Sequence, residues 1–187
     1  DFAPFDVNVT TKPPVAGQMT QEYSGDPVYG LIAYVAENTA AEANCGCGGL
    51  ATVGITTNPN ENWVRYYGPA MVFPNGLGDL GRNIGEAASH EIGHNLGLLH
   101  DGIGTSEYYC GTGSGVWAPI MGCGYYAPLS QWSKGEYAGA TQQQDDLAII
   151  NQTLTYRPDS QPDTNQAAVP ISFGSGTTPT SGSIERT

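Results

Sequence analysis

The chain contains three histidines, and all of them lie in one short segment, EAASHEIGHNLGLLHDG, at residues 86–102. His90 and His94 are four residues apart, so on a helix they project from the same face, one turn above the other. Two imidazoles in that arrangement reach a single metal ion, and Glu91 lies about 100° around the helix from His90. The spacing therefore predicts a metal site with an adjacent carboxylate that is free to act as a base.

The third histidine requires a break in this helix. A continuous helix from His94 to His100 rotates about 240° and carries the ring about 9 Å along the axis, away from the ion. Gly97 stands where the break is needed, because glycine adopts the positive φ that turns the chain back. Three neutral imidazoles with one open position are typical of catalytic zinc, so we predict one Zn2+ held by His90, His94 and His100. The sequence neither predicts nor excludes Ca2+ in addition.

The chemistry expected of such a site is hydrolysis of a peptide bond. Catalytic zinc acidifies water and stabilises a developing oxyanion, while Glu91 accepts the proton of the attacking water and passes it to the departing amine. Three alternatives stay open: an ordinary surface helix that carries HExxH by chance, a catalytically inactive binding module on the same scaffold, and a zinc hydrolase that acts on something other than peptides.

The segment HEIGHNLGLLHD resembles the HExxHxxGxxHxx motif of the metzincin metalloendopeptidases, and Asp101 resembles the aspartate of the adamalysin (reprolysin) branch. The resemblance implies that His90, His94 and His100 are zinc ligands and that Glu91 is the catalytic acid and base. It also implies that Asp101 supports the site structurally. The segments QWSKGEYAGA and DDLAII resemble bacterial secreted members, so we expect a secreted, extracellular protein that acts on polypeptides.

The segment APIMGCGYY, at residues 118–126, resembles the methionine turn beneath the zinc of that family. Met121 is then its methionine, and a plain core methionine is the alternative. Some metzincins have a tyrosine ligand two residues after this methionine, but position 123 is Cys. We expect Tyr125 and Tyr126 in the wall of the pocket for the substrate side chain after the cut, with aromatic packing as the alternative.

The resemblance also implies an α+β fold of the α/β/α-like metzincin type. Its features are a twisted, mostly parallel sheet with an antiparallel edge strand, an active-site helix and an irregular C-terminal subdomain. The segment GGLATVGITT, at residues 48–57, is placed as the edge strand above the cleft. An extended peptide would pair its backbone with that edge, so Thr52 and Val53 are candidate substrate-binding residues.

Local patterns agree with a mixed fold. Apolar residues at three- and four-residue steps from Ile84 to Leu96 predict a helix that ends at Gly97, and a second helix is expected near residues 142–151. Between them lies a long Gly-, Ser- and Tyr-rich connection, at about residues 103–140, of the kind that is usually functional. Short segments rich in Val, Ile, Tyr and Ala predict strands at residues 5–11, 27–36, 48–57 and 68–74.

Two units are expected along the chain. Residues 1–157 resemble a catalytic domain of the metzincin type that opens without the usual first strand and helix. From Pro158 the composition turns to Pro, Ser, Thr and Gly, which predicts a linker, and the last residues resemble the start of a truncated C-terminal module, so the second unit is 158–187.

Composition excludes some classes of function. The chain of 187 residues has a formal charge of -12, which repels nucleic acid and anionic lipid. We expect no nucleic-acid partner and no membrane association, because no apolar run approaches the roughly 20 residues of a membrane helix. We expect a monomer.

Four cysteines permit three complete pairings. A bridge between Cys45 and Cys47 would close a very tight ring, so a disulfide between Cys110 and Cys123 is favoured. Free or metal-binding thiols are the alternative, although the spacing is poor for a zinc ribbon.

Overall fold

The computed structural model describes residues 1–13, 29–38, 45–111 and 116–158. In these ranges the strands are β1 (Ala33–Val35), β2 (Gly49–Leu50), β3 (Ala70–Val72), β4 (Trp117–Pro119) and β5 (Leu129–Gln131). The α-helices are α1 (Glu61–Tyr67), α2 (Gly81–Asn95) and α3 (Asp146–Ile150). Short 3-10 helices cover Ile55–Thr57, Pro74–Leu77 and Gly124–Tyr126.

The first three strands form one sheet in the order β1-β3-β2. β1 and β3 are parallel, whereas β2 is antiparallel to β3 and lies at the edge. This arrangement confirms the predicted α+β class with an antiparallel edge strand, although the strands are shorter than the predicted segments. Val72 at the end of β3 is fully buried and packs with Ala87, so the sheet is held against α2.

Helix α2 confirms the helix predicted up to Gly97. It ends at Asn95, with Leu96 as the capping residue. Helix α3 is shorter than predicted and begins after Asp145, whose carboxylate accepts the backbone N–H of Ala148 at 3.1 Å. Helix α1 was not predicted, because its seven residues are too few to show a repeating helical period.

Two strand predictions were wrong in extent or kind. Residues 5–11 form no strand: Phe5 makes an isolated bridge with Tyr156 and is fully buried, while Val9 is 82% exposed. The alternating apolar residues there do not form one face of a sheet; instead, the segment packs on the core through the single buried side chain of Phe5. The edge strand ends at Leu50, because the chain turns at Gly54, which has a φ of 67°.

The described residues of the long connection between α2 and α3 pack against the rest of the fold. β4 and β5 pair in parallel, and the segment between them contains Met121, which is fully buried. The core cluster beneath α2 consists of Phe5, Leu96, Leu98, Met121 and Ile150. Residues 27–28 of one predicted strand and the predicted tail from 159 to 187 lie outside the described residues. Within the described ranges, no helix is both long and apolar enough to cross a membrane.

Candidate metal centre

Helix α2 places two of the histidines side by side. His90 and His94 occupy the buried face, each 7% exposed, and their ring centres are 4.8 Å apart. The four-residue spacing produces this proximity because 3.6 residues complete one helical turn.

Gly97 reverses the direction of the chain, so that His100 lies next to His90 and His94. Its φ is 107°, and its N–H donates to the carbonyl oxygen of His94 at 2.9 Å. The N–H of Leu98 donates to the carbonyl oxygen of Gly93 at 3.0 Å, which completes a Schellman-type helix end. The ring of His100 then lies 4.7 Å from that of His94, so the predicted glycine break is confirmed.

The three imidazoles form a group with the geometry of a metal site. Their ligand nitrogens all lie within 4.8 Å of one another, and the Nε2 atoms of His94 and His100 are 2.9 Å apart. Two unprotonated nitrogens at that separation repel each other unless a cation lies between them. In the described part of the chain this is the one group of His, Cys, Asp and Glu found with such geometry.

Each ring uses its other nitrogen to bind the surrounding chain. The Nδ1 of His90 lies 2.8 Å from the carbonyl oxygen of Ile120, and that of His94 lies 2.8 Å from the carbonyl oxygen of Leu98. The Nδ1 of His100 lies 2.6 Å from Oε1 of Glu107. Carbonyl and carboxylate oxygens only accept, so each Nδ1 is the protonated donor and each Nε2 keeps its lone pair for a metal.

Burial keeps the two helix histidines neutral. It lowers the pKa of His90 to about 3, helped by the neighbouring His94, and it also lowers the pKa of His94. Neutral imidazole is the form that coordinates metal ions, so the residues present fit a zinc ion.

Glu91 lies beside the histidines and against the edge strand. It is 7% exposed, and this burial raises the pKa of its carboxyl group to about 7. A side chain at Gly49 would overlap the Glu91 carboxylate, so strand β2 passes directly over it. Sequence reasoning missed Gly49, whose only local signal is a pair of adjacent glycines.

Met121 and Asp101 lie beneath the histidines. A Cβ placed on Gly93 of α2 would come within 2.6 Å of the Met121 sulfur, so the absence of a side chain lets the two segments pack closely. The backbone N–H of Asp101 donates to the carbonyl oxygen of Met121 at 2.8 Å. Burial, followed by the charge of Glu136, raises the pKa of the Asp101 carboxyl group to about 6.

Disulfides secure two segments near the site. Cys110 is bonded to Cys123, as favoured from the sequence. Cys45 is bonded to Cys47, against the argument from ring size, because Gly46 at a φ of 61° turns the chain between them. The alternative of free or metal-binding thiols is therefore wrong.

The candidate substrate-binding residues separate into two sets. Tyr125 is half-buried beside Ala87, and burial followed by the charge of Glu91 raises its pKa to about 12. Tyr126 is 87% exposed. Thr52 and Val53 lie beyond the end of β2, and the carbonyl oxygen of Thr52 accepts from the side-chain amide of Asn95 at 3.2 Å.

Two residues at the site had no signal in the sequence. Glu107 binds the ring of His100, as described above. The ring centre of Tyr108 is 4.5 Å from that of His100, and its hydroxyl oxygen is 3.4 Å from Nε2 of His100. Both residues belong to a loop without periodicity, so only the folded chain brings them to the histidines.

Comparison with known proteins agrees with this site. Residues 9–101 match a family model described as Metallo-peptidase family M12B Reprolysin-like, and the match includes all three histidines. The resemblance to reprolysin-like metallopeptidases is confirmed over these residues. No solved structure matches the chain. Together the family match and the three-histidine group support a zinc peptidase, a class that acts on polypeptides.

Proposed function

We propose that the protein is a zinc-dependent endopeptidase that cleaves peptide bonds of protein substrates, with Glu91 as the general base. The observation that carries this proposal is the convergence of three imidazole Nε2 atoms beside one buried carboxylate. Zinc supplies the acidification of water and the polarisation of the substrate carbonyl group. His90, His94 and His100 hold the ion, and no calcium ion is needed for this chemistry.

Glu91 performs the proton transfers. Its carboxylate accepts the proton of the attacking water and then donates it to the nitrogen of the departing amine. A carboxyl group whose pKa is raised to about 7 is suited to both steps near neutral pH. Its position under β2 aligns it with a peptide that lies along the strand.

The residues around the histidines keep this geometry. Gly97 ends the helix so that His100 reaches the ion. Asp101 and Met121 hold the turn beneath α2 through the backbone hydrogen bond between them. Tyr125 forms one wall of the cleft, and Tyr126 contributes only its exposed edge.

The substrate pairs with the free edge of β2. The N–H of Phe73 donates to the carbonyl oxygen of Gly48 at 2.8 Å, and Gly49 lies opposite Val72. In an antiparallel pair, the backbone N–H and C=O groups of successive residues point alternately toward and away from the partner strand. Those of Gly48 and Leu50 therefore point toward β3, whereas those of Gly49 and Ala51 point toward the cleft. Thr52 and Val53 follow this edge, and the carbonyl oxygen of Thr52 binds the side-chain amide of Asn95 on α2.

A proline at position 51 tests this pairing. Ala51→Pro removes an outward N–H, so we expect KM to rise about 10-fold, equivalent to one hydrogen bond of about 1.4 kcal/mol. kcat should change little because the histidines are untouched. Ala51→Ser keeps the N–H and is the matched control. Equal KM values for the two variants would show that the substrate does not use this edge.

The direct test of the proposed function combines metal content with proteolysis. The purified chain should contain one zinc ion per molecule by elemental analysis and should cleave casein or gelatin at internal bonds. Zinc without cleavage would favour the inactive binding module. Cleavage without any bound metal would reject the proposal.

Location and domain organisation follow the same proposal. Disulfides persist in oxidising compartments, so the two bridges support an extracellular location. The secreted bacterial type is proposed on the resemblance of QWSKGEYAGA and DDLAII to such proteins. We propose that residues 1–157 form the catalytic unit and that residues 158–187, rich in Pro, Ser, Thr and Gly, are separate from it. We propose that the unit acts as a monomer.

A further inference from the structure

Tyr108 lies at the metal centre without a role in the chemistry described above. Its ring centre is 4.5 Å from that of His100 and 6.3 Å from that of His90. Its hydroxyl oxygen points at the metal-binding nitrogen of His100 from 3.4 Å.

The distance of 3.4 Å matches two neighbouring ligands of one ion. Zinc binds nitrogen and oxygen at about 2.0–2.2 Å, which separates two ligands at a tetrahedral angle by about 3.4 Å. We propose that, in the absence of substrate, the phenolic oxygen of Tyr108 is the fourth protein ligand of the ion held by His90, His94 and His100. This inference rests on the proposed zinc function.

The fold anchors Tyr109, the residue after Tyr108, by both of its backbone polar groups. The N–H of Tyr109 donates to the carbonyl oxygen of Asp101 at 2.7 Å, directly after the third histidine. The N–H of Cys123 donates to the carbonyl oxygen of Tyr109 at 3.1 Å, and Cys110 is bonded to Cys123. Tyr108 therefore lies directly before residues that are tied to the turn that contains Met121.

Coordination breaks the O–H bond of Tyr108, forms an oxygen–metal bond and releases the proton to solvent. A bound dication would favour the ionised phenol because it would be the largest charge in the site. Tyr108 is 38% exposed, so its ring has room to move aside when water and substrate reach the ion.

Copper is the probe for this ligand, because a phenolate bound to Cu2+ produces a charge-transfer band in the visible spectrum. The copper-loaded parent and Tyr126→Phe, the exposed control, should both show the band. Tyr108→Phe, which keeps the ring contact with His100, should lose it. Its zinc affinity, measured by competition with a chelator, should fall about 10-fold.

Two results would overturn the inference. One is the absence of the charge-transfer band from the parent. The other is a Tyr108→Phe variant whose band and zinc affinity both equal those of the parent. In either case, zinc binding and casein cleavage by the parent would leave the proposed function intact. A parent chain that binds no metal at all would instead reject both proposals.

Discussion

The Glu91→Gln variant is expected to bind zinc as the parent does and to lose about 100- to 10,000-fold in kcat. The amide has nearly the shape of the carboxylate, and Glu91 is not in the group of three metal-binding side chains, so the ion stays. What the variant lacks is a group that accepts the proton of water. Initial rates of casein cleavage and elemental analysis of the same samples provide the measurement.

An exposed carboxylate serves as the control for charge loss. Glu37 lies on the surface just beyond β1, and Glu37→Gln should keep the activity of the parent. Equal activity of Glu91→Gln and the parent would reject Glu91 as the base. Loss of zinc together with activity would mean that Glu91 contributes to holding the metal.

The Gly49→Ala variant is expected to lower kcat about 100-fold with the zinc content unchanged, since displacement of a catalytic group by about 1 Å costs that much. The added Cβ would overlap the Glu91 carboxylate, and pairing with Val72 keeps the strand from moving away. Glu91 must therefore shift from the position in which it faces the substrate. Activity and zinc content measured on one preparation separate this effect from damage to the metal site.

Gly85→Ala is the matched control for this substitution. Gly85 lies within α2, and a Cβ there meets no heavy atom within 4 Å. Its kcat should equal that of the parent, and its stability should rise by about 0.5–1 kcal/mol because alanine favours the helix. An unchanged kcat for Gly49→Ala would show that the added Cβ does not displace the Glu91 carboxylate from its catalytic position.

Much of the metal centre could be predicted from the sequence, because its geometry depends on local rules. The period of the helix brings His90 and His94 together, and the positive φ of Gly97 returns His100. These features require only the chain on either side of each residue.

Only the tertiary structure decided the surroundings of those ligands. Gly49 meets Glu91, Ile120 binds His90, and Tyr108 reaches His100, although none of these pairs follows from a helical or strand period. Phe5 shows the same dependence, since its alternating neighbours suggested a strand while packing against Tyr156 made it a single anchor. Helical periods and turn angles are properties of consecutive residues, and the sequence alone determined them. Contacts between distant segments depend on how buried surfaces pack, which is settled only when the whole chain folds.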